Sequence, residues 1–417
     1  MLRKRTTVAA AILSAAAVLL AAGCGSSSSG GSSGGGTTTA AAAKKTITVG
    51  VIADMTGAAA PPNKSVVDGV KAGTFYAARN GYTIKYIVGD TATNPATALA
   101  VAQKMVTQDH VFAVLANSAL LFAAAPYLTA HNVPVIGASQ DGPEWIPSKN
   151  MFSIWGPLQA TKVSTTQGKF FKMMGVTNLG VLANSVPTAS EAGEGSAASA
   201  EVAGIKVGYL NAKFPLGGDV GPAVLAMKDA GVDGFVAAAG SDTTFAVIKG
   251  LQDQGVKLKA ALLPTGYGGD LLSAGPGAAQ AAQGAYFVSA YELIEQQTPA
   301  TKQFVADMRA AGLKGEPTYA SYNGYVSVGL LVRALKAAGA NPTQASLITA
   351  LEGIHDWNAL GLYGSHTVDI NDRENIVFGP DSCQWIAQFQ GNAFKPVPNA
   401  TPICGDVVPG RTVAPAS

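Results

Sequence analysis

The side chains that could carry out nucleophilic or metal chemistry are few and lie far apart. The 417-residue chain has 4 histidines and 3 cysteines. It contains no C-x-x-C pair and no G-x-S-x-G motif. The histidines show no metal-ligand spacing; they are His110, His131, His355 and His366. No nucleophile, base and orienting group can be assembled from these residues. The sequence therefore predicts a protein that is not an enzyme and has no cofactor or metal of its own.

The first cysteine indicates another kind of chemistry. An apolar run begins after Arg3, Lys4 and Arg5 and ends on small residues immediately before Cys24. A basic start, a short apolar core and a small-residue cleavage site are typical of a secretory signal peptide. The order Leu-Ala-Ala-Gly-Cys resembles a bacterial lipobox, which implies cleavage after a signal peptide of residues 1–23 and attachment of lipid to the Cys24 thiol. The alternative is an ordinary signal peptide whose cysteine is incidental.

The segment after the predicted signal peptide has mostly small or polar side chains and cannot bury enough apolar surface to fold. Residues 24–44 are mostly Ser, Gly, Thr and Ala, so we predict a flexible tether. Twenty such residues have an end-to-end distance of roughly 25 Å. The longest later apolar segment, 119–130, contains a proline and is too short to span a bilayer. We therefore expect the folded part to lie at the extracytoplasmic face of a bacterial cell membrane, held there by the lipid anchor alone.

The other two cysteines, Cys383 and Cys404, lie near the C-terminus. A disulfide persists outside the cytoplasm, and neither cysteine has the neighbours that a metal site needs. We predict that they pair with each other. The bond closes a loop of about twenty residues and, in the chain-entropy account, stabilises the fold by roughly 3 kcal/mol.

Composition restricts the class of partner. The chain has 28 Lys and Arg against 26 Asp and Glu, and three of the basic residues belong to the predicted signal peptide. Its charge is thus nearly balanced, with no basic stripe of the kind that nucleic-acid binding needs. The length exceeds what a single core usually organises and favours two domains.

Short apolar runs rich in β-branched residues alternate with helical patterns along the chain. A helix is predicted to begin at Asn94-Pro95, and another is predicted over 118–132. Strands that alternate with helices indicate crossover connections and a parallel sheet. The pattern starts again after a connecting strand at 151–155 and a predicted helix at 158–174. The predicted fold class is α/β, with two doubly wound parallel-sheet lobes.

The last third of the sequence has a different pattern. Residues 299–352 are rich in helix, and Tyr319, Tyr322 and Tyr325 recur every third residue, a stripe that we interpret as core. No strands are predicted between these helices, so we expect them to pack against one of the two sheets formed by earlier residues. Strand-like segments follow at 366–370, 376–378 and 384–390.

Several long segments occur in an order and spacing that resemble a known family. The N-terminal part contains "ITVGVIADMTG", "DGVKAGTFYAARNG" and "HNVPVIGAS". Later segments are "GPAVLAMKDAGVDGFVAAAGSDTTF" and the long helical "TYASYNGYVSVGLLVRALKAAG". From about Thr46 to Phe389 the chain resembles type I periplasmic binding proteins, in the branch that serves leucine, isoleucine and valine import through ABC transporters.

The resemblance implies two lobes that open and close on a solute held between them. Three chain crossings would join the lobes, near Ile154, Val288 and Leu360. Each lobe is then discontinuous in sequence. The implied boundaries are 45–153 plus 289–360 for lobe 1 and 154–288 plus 361–405 for lobe 2, with 406–417 as a disordered tail.

Asn117 and Ser118 end one predicted strand and open the next predicted helix. Ligands of open parallel sheets lie beyond the carboxyl ends of the strands, where free amides, a hydroxyl and the helix dipole favour a carboxylate. The resemblance implies ligand contact here, with Ala119 competing with Ser118 for the position. The alternative is that Ser118 only caps its helix.

The segment "VPVIGASQDGPEW" corresponds to family positions that bind a ligand carboxylate. The matching residues are Ser139, Gln140 and Asp141. Asp141 stands where the family pattern has threonine, and its charge would repel a carboxylate. Trp155, near the first crossing, is predicted either to stack on a ring or apolar tail of the ligand or to serve packing alone.

In the second lobe, Thr265 occupies the place at which the family's amino-acid binders have a glutamate against the ligand's ammonium. A neutral hydroxyl does not balance a buried charge, which argues against leucine as the ligand. Asp242 is predicted either to supply the missing carboxylate or to cap the following helix. We expect Tyr267 to act as a lid or stacking group and Thr56 to lie at the cleft rim.

Together these observations predict a monomeric, lipid-anchored solute-binding protein. A small polar solute, such as a branched-chain amino acid, an amide or an aromatic acid, would stabilise the closed form, which then docks on an ABC permease. One alternative is a ligand-sensing lipoprotein that presents its closed form to a signalling receptor. A less favoured alternative is an envelope enzyme.

Overall fold

The computed structural model describes residues 45–140, 142–377 and 379–414. The predicted signal peptide, the tether and Cys24 lie outside the described residues, as does Asp141. The fold is α/β with two doubly wound sheets, as predicted. Within the described residues, no helix has both the length and the apolar character needed to cross a bilayer.

The first sheet consists of five parallel strands in the order β2-β1-β3-β4-β5. Its central strand β3 is buried at every position, because helices cover both faces of a doubly wound sheet. The strands are β1 (Lys45–Ala53), β2 (Tyr82–Asp90), β3 (Ala113–Asn117), β4 (Val135–Gly137) and β5 (Met151–Ser153). The helices between them are α1 (Ala60–Asn63), α2 (Val66–Arg79), α3 (Pro95–Thr107) and α4 (Ala125–Ala130).

The second sheet repeats this order and then extends it. Five parallel strands run β8-β7-β9-β10-β11, and three antiparallel strands, β12 to β14, continue from β11. The parallel strands are β7 (Asn178–Asn184), β8 (Lys206–Phe214), β9 (Gly234–Ala238), β10 (Ala260–Leu263) and β11 (Tyr286–Ser289). The antiparallel strands are β12 (Cys383–Gln390), β13 (Ala393–Pro396) and β14 (Ile403–Cys404). The helices here are α5 (Thr166–Met173), α6 (Pro187–Val202), α7 (Gly221–Asp229), α8 (Ser241–Asp253), α9 (Gly269–Ser273) and α10 (Pro276–Ala281).

Three late helices follow β11, and the longest of them packs against the first sheet's helices. Where α12 crosses α2 the backbones approach so closely that a Cβ on Gly69 would lie 2.0 Å from the Ser321 carbonyl oxygen. Glycine is required at such a contact. The helices are α11 (Pro299–Ala310), α12 (Tyr319–Ala337) and α13 (Gln344–Glu352).

The chain passes between the two sheets at three places. It leaves the first sheet after Ser153, returns after Ser289 through α11 and α12, and re-enters the second sheet at Cys383. These passages agree with the three-crossing architecture that the resemblance implied.

Part of the C-terminal segment predicted as a disordered tail, 406–417, forms a strand instead. Residues Val407–Thr412 make β15, which pairs antiparallel with β6 (Lys162–Ser164). The tail prediction was wrong for these residues because the partner strand lies far away in sequence. Residues 415–417 lie outside the described part of the chain.

Other differences from the predicted elements have local causes. The helix predicted at 158–174 begins only at Thr166, because Thr161, Val163 and Thr165 place β-branched residues at alternate positions, a pattern that favours a strand. In the segment 118–132, α4 starts beside Pro126, which is favoured in a first helical turn.

Of two further elements predicted from the sequence pattern, one is absent and one is present. The segment 366–370 forms only a single bridge, between Trp357 and Val368, rather than a strand. The helix predicted at Asn94-Pro95 is present, and the Asn94 side chain accepts hydrogen bonds from the backbone N–H groups of Ala96 and Thr97.

Candidate functional site

A cleft of about 520 Å³ lies at the carboxyl ends of strands from both sheets. Residues that follow β4 and β5 form one wall, with Ser139, Gln140 and Trp155 in it. Asn184 at the end of β7 and Thr265 just after β10 belong to the opposite wall. This is where ligands bind in open α/β sheets, and the volume suits a small molecule.

Five of the predicted site residues line this cleft: Ser139, Gln140, Trp155, Asp242 and Thr265. Ser139 is buried, and its hydroxyl donates to the Gly156 carbonyl oxygen at 3.1 Å.

Asp242 is exposed in the first turn of α8. The helix cap is Gly240, so the alternative that Asp242 caps the helix is wrong. With Lys162, Asp242 is one of only two charged side chains among the described residues that line the cleft.

Four other predicted residues are close to the cleft but do not line it. The Asn117 and Ser118 side chains are buried beneath it. The Thr56 hydroxyl donates to Asp90 at 2.7 Å at the exposed end of β2. The Tyr267 ring is turned into the core, where its hydroxyl bonds to Glu295. Asp141 lies outside the described residues.

A buried hydrogen-bond network supports the first-sheet wall from below. The Asp54 carboxylate accepts from the Ser118 hydroxyl at 2.7 Å and from the Ala119 backbone N–H at 2.8 Å. Asn63 links this carboxylate to Asn117, whose side-chain oxygen in turn accepts from Gln140 at 3.1 Å. Burial raises the pKa of Asp54, and the hydrogen bonds to its carboxylate partly offset this rise. Asn117 and Ser118 therefore support the lining residues from below. Ser118 does not line the cleft, but its hydroxyl accepts the Leu120 backbone N–H at 3.1 Å, a cap-like bond just before the 3-10 turn at Leu121–Ala123.

Aromatic side chains form the floor of the cleft. The rings of Trp155 and Tyr319 lie 5.9 Å apart, and the indole N–H of Trp155 donates to the Tyr291 hydroxyl at 2.9 Å. The stripe predicted as core is therefore core at Tyr322 and Tyr325, whereas Tyr319 lines the cleft.

A carboxylate next to this floor has an altered pKa. The Asp270 side chain is only 8% exposed and accepts the backbone N–H of Tyr319 at 2.9 Å. Burial raises the pKa of Asp270 to about 7.

A smaller pocket of about 110 Å³ adjoins the cleft and shares part of its lining. Its walls are mainly apolar, with Trp155, Leu262 and Val288 among them. The polar side chains in its lining include those of Gln167 and Gln384, which also line the main cleft.

Sequence reasoning missed the cleft residues Gln167, Asn184 and Gln384. Asn184 ends a predicted strand, so the strand-end rule that selected Asn117 could have found it. Gln384 follows Cys383, which is bonded to Cys404 as predicted. Its place in the site depends on strand pairing that no local pattern reveals.

Among the described residues, one group has the composition of a metal site: His366, Cys383 and Cys404. Both sulfur atoms belong to the disulfide and are not thiolate ligands.

Comparison with known proteins places the chain in a family. The family model for periplasmic binding proteins matches residues 46–393, and the chain belongs to this family of solute-binding proteins. The type I resemblance is thereby confirmed. The comparison with curated proteins gave no match.

Solved structures share the fold at low sequence identity. A leucine-binding protein, LivK, from Thermotoga maritima is 16% identical, with a TM-score of 0.70 over 86% of this chain and 99% of that one. A solute-binding protein of an ABC transporter from R. palustris, in complex with 4-hydroxybenzoate, is 19% identical, with a TM-score of 0.68 over 89% and 98%. Another, from Rhodopseudomonas palustris BisB5 with 3,4-dihydroxybenzoic acid, is 21% identical, with a TM-score of 0.69 over 87% and 96%.

Proposed function

We propose that this protein is a monomeric, lipid-anchored solute-binding protein that delivers a small solute to an ABC importer. The lipid on Cys24 would hold it at the extracytoplasmic face of the membrane. The proposed lobes are 45–153 with 289–360 and 154–288 with 361–405, and they close on the solute. Only the closed form would dock productively on the permease.

The observation that carries this proposal is the cleft between the two sheets. Both walls are built from residues at the carboxyl ends of parallel strands, and three chain passages connect the sheets. A solute that contacts both walls stabilises the closed arrangement by its differential contacts. The proposed contacts are Ser139, Gln140, Trp155, Asp242 and Thr265.

The electrostatics of the cleft favour some solutes over others. Among the described residues its charged side chains are Lys162 and Asp242, and Thr265 stands where a carboxylate would be needed for a buried ammonium. An α-amino acid presents adjacent opposite charges that both require partners, and its ammonium would have to reach the exposed Asp242, because Thr265 carries no charge. The Trp155–Tyr319 floor suits a flat apolar frame. Two of the structural neighbours contain aromatic acids and a third is a leucine-binding protein, so the preference for an aromatic acid rests on the Trp155–Tyr319 floor.

A thermal-shift screen of the domain from residue 45 onward tests the proposal. The probes are leucine, benzamide, benzoate and 4-hydroxybenzoate, followed by a wider metabolite panel. A solute that binds only the folded state raises the melting temperature. At a hundredfold excess over Kd it adds about 2.7 kcal/mol to the free energy of unfolding.

The matched variant for this screen is Trp155→Ala, which removes the cleft floor. It should weaken the response to every solute that stabilises the wild type. Failure of all solutes to bind, or chemical turnover of any of them, would contradict the proposed function.

A further inference from the structure

Three side-chain amides in the cleft wall have an unused acceptor. They belong to Gln167, Asn184 and Gln384, and their carbonyl oxygens are buried without a hydrogen-bond partner among the described residues. Gln384 is 2% exposed and Asn184 8%. Buried polar atoms in folded proteins are nearly always paired, so three exceptions around one cavity require an explanation.

Two of these amides, those of Gln167 and Gln384, lie where the cleft meets its smaller apolar pocket. The rest of that pocket's lining is neutral, and most of it is aliphatic or aromatic. A charged group placed there would lose its hydration without gaining an opposite charge. A ligand group that satisfies both amide oxygens must donate hydrogen bonds and remain uncharged.

From this geometry we infer that the smaller pocket is a recognition subsite for an uncharged hydrogen-bond donor on an apolar frame, such as a phenolic hydroxyl or a primary amide. The inference deepens the proposed function and rests on it. A primary amide has two N–H donors, one for each of the carbonyl oxygens of Gln384 and Gln167, whereas a phenolic hydroxyl has one O–H and bonds to Gln384 alone. In both cases the apolar frame lies against Trp155 and Val288. Carboxylates and ammonium groups are excluded from this end of the site.

The fold holds Gln384 in place for this role. It is the second residue of β12, where it pairs with Ile403, and the neighbouring pair is the disulfide-bonded Cys383 and Cys404. A residue whose backbone is fixed by strand pairing next to a disulfide loses little further backbone freedom on binding. The backbone of Gln384 is thus preorganised, and burial of its side chain restricts the positions that the amide can take.

The first test needs no ligand. Gln384→Met keeps the length of the side chain and removes the unpaired buried oxygen, so the empty domain should melt a few degrees higher than the wild type. The control is Gln390→Met on the same strand, where the residue is exposed and bonds to Gln388. A lower melting temperature for Gln384→Met would overturn the inference, because it would show a structural role for the amide.

The second test measures binding of 4-hydroxybenzoate and benzoate by calorimetry. These probes differ by one hydroxyl donor. The wild type should bind 4-hydroxybenzoate at least tenfold more tightly than benzoate, and Gln384→Met should reduce the difference to below twofold. Gln390→Met should keep the wild-type difference.

The subsite and the proposed function can be contradicted separately. Equal binding of the two probes, or no binding of either, would overturn the subsite. If the wider panel then yields another solute whose affinity is unchanged by Gln384→Met, solute binding stands and the subsite alone is wrong. If no solute binds at all, the proposed function fails as well.

Discussion

At the scale of single residues, Asp270 couples the cleft floor to pH. Its carboxylate accepts the backbone N–H of Tyr319, the first residue of α12, and burial raises its pKa to about 7. An unfolded aspartate has a pKa near 3.9. The folded protein therefore binds a proton more tightly at this site than the unfolded chain does, and its stability falls as pH rises from about 4 through about 7.

Asp270→Asn tests this dependence. The amide oxygen can still accept the Tyr319 N–H, but no charge develops in the buried site. The difference in pKa corresponds to roughly 4 kcal/mol, so at pH 8 the variant should be more stable than the wild type by up to about that amount. At pH 5 the two proteins should differ much less. The measurement is urea unfolding at both pH values.

A matched control is Asp253→Asn, an exposed residue of α8 paired with Lys249. It should keep the wild-type loss of stability between pH 5 and pH 8. Burial also raises the pKa of Asp54, so any loss of stability with rising pH that comes from Asp54 should be the same in Asp270→Asn and in the wild type. An unchanged profile in Asp270→Asn would mean that the Asp270 carboxyl does not titrate in this range.

At the scale of elements, aromatic residues tie the three passages between the sheets together. Tyr291, just after β11, stacks on Tyr363 with ring centroids 5.5 Å apart and an interplanar angle of 5°. The Tyr363 hydroxyl donates to the Ile154 carbonyl oxygen at 2.6 Å, just after β5. Trp155 in the cleft donates to the Tyr291 hydroxyl. The cleft is thus in direct contact with the residues that join the sheets.

Removing one hydroxyl should weaken this junction. Tyr363→Phe keeps the stacked ring but leaves the Ile154 carbonyl without its partner, at an expected cost of about 1–3 kcal/mol in the free energy of unfolding. The cost is measured by chemical denaturation. Tyr286→Phe is the control, since its hydroxyl has no hydrogen bond to the described residues and its ring packs on Phe170. Equal stabilities for the two variants would contradict the structural role of the bond.

The elements also explain what could be predicted from the sequence. Alternating strands and helices predict both sheets, and the family resemblance leads to Ser139, Gln140 and Thr265, which line the cleft. Tyr267 follows the same strand as Thr265, but its side chain faces the core. The direction in which a side chain points after a strand depends on tertiary packing, which the local sequence does not reveal. Gln384 reaches the cleft only through the pairing of β12 with β11 and β14, which are distant in sequence.

At the scale of the whole molecule, closure is the property on which the proposed delivery of a solute depends. A bound solute should bring the two lobes together, so small-angle scattering of the domain saturated with a stabilising solute should give a smaller radius of gyration than the empty domain. A solute that causes no thermal shift serves as the control. Superimposable profiles for every solute that binds would contradict the closing mechanism.

The pairing of β15 with β6 bears on how the protein can be handled. β6 contributes Lys162 and Ser164 to the cleft wall, and its neighbour in the sheet is the chain's last strand, Val407–Thr412. A stop codon placed before Val407 would remove the strand that pairs with β6 and so weaken that wall. An expression design that respects the site keeps Val407–Thr412 and attaches any handle ahead of Lys45.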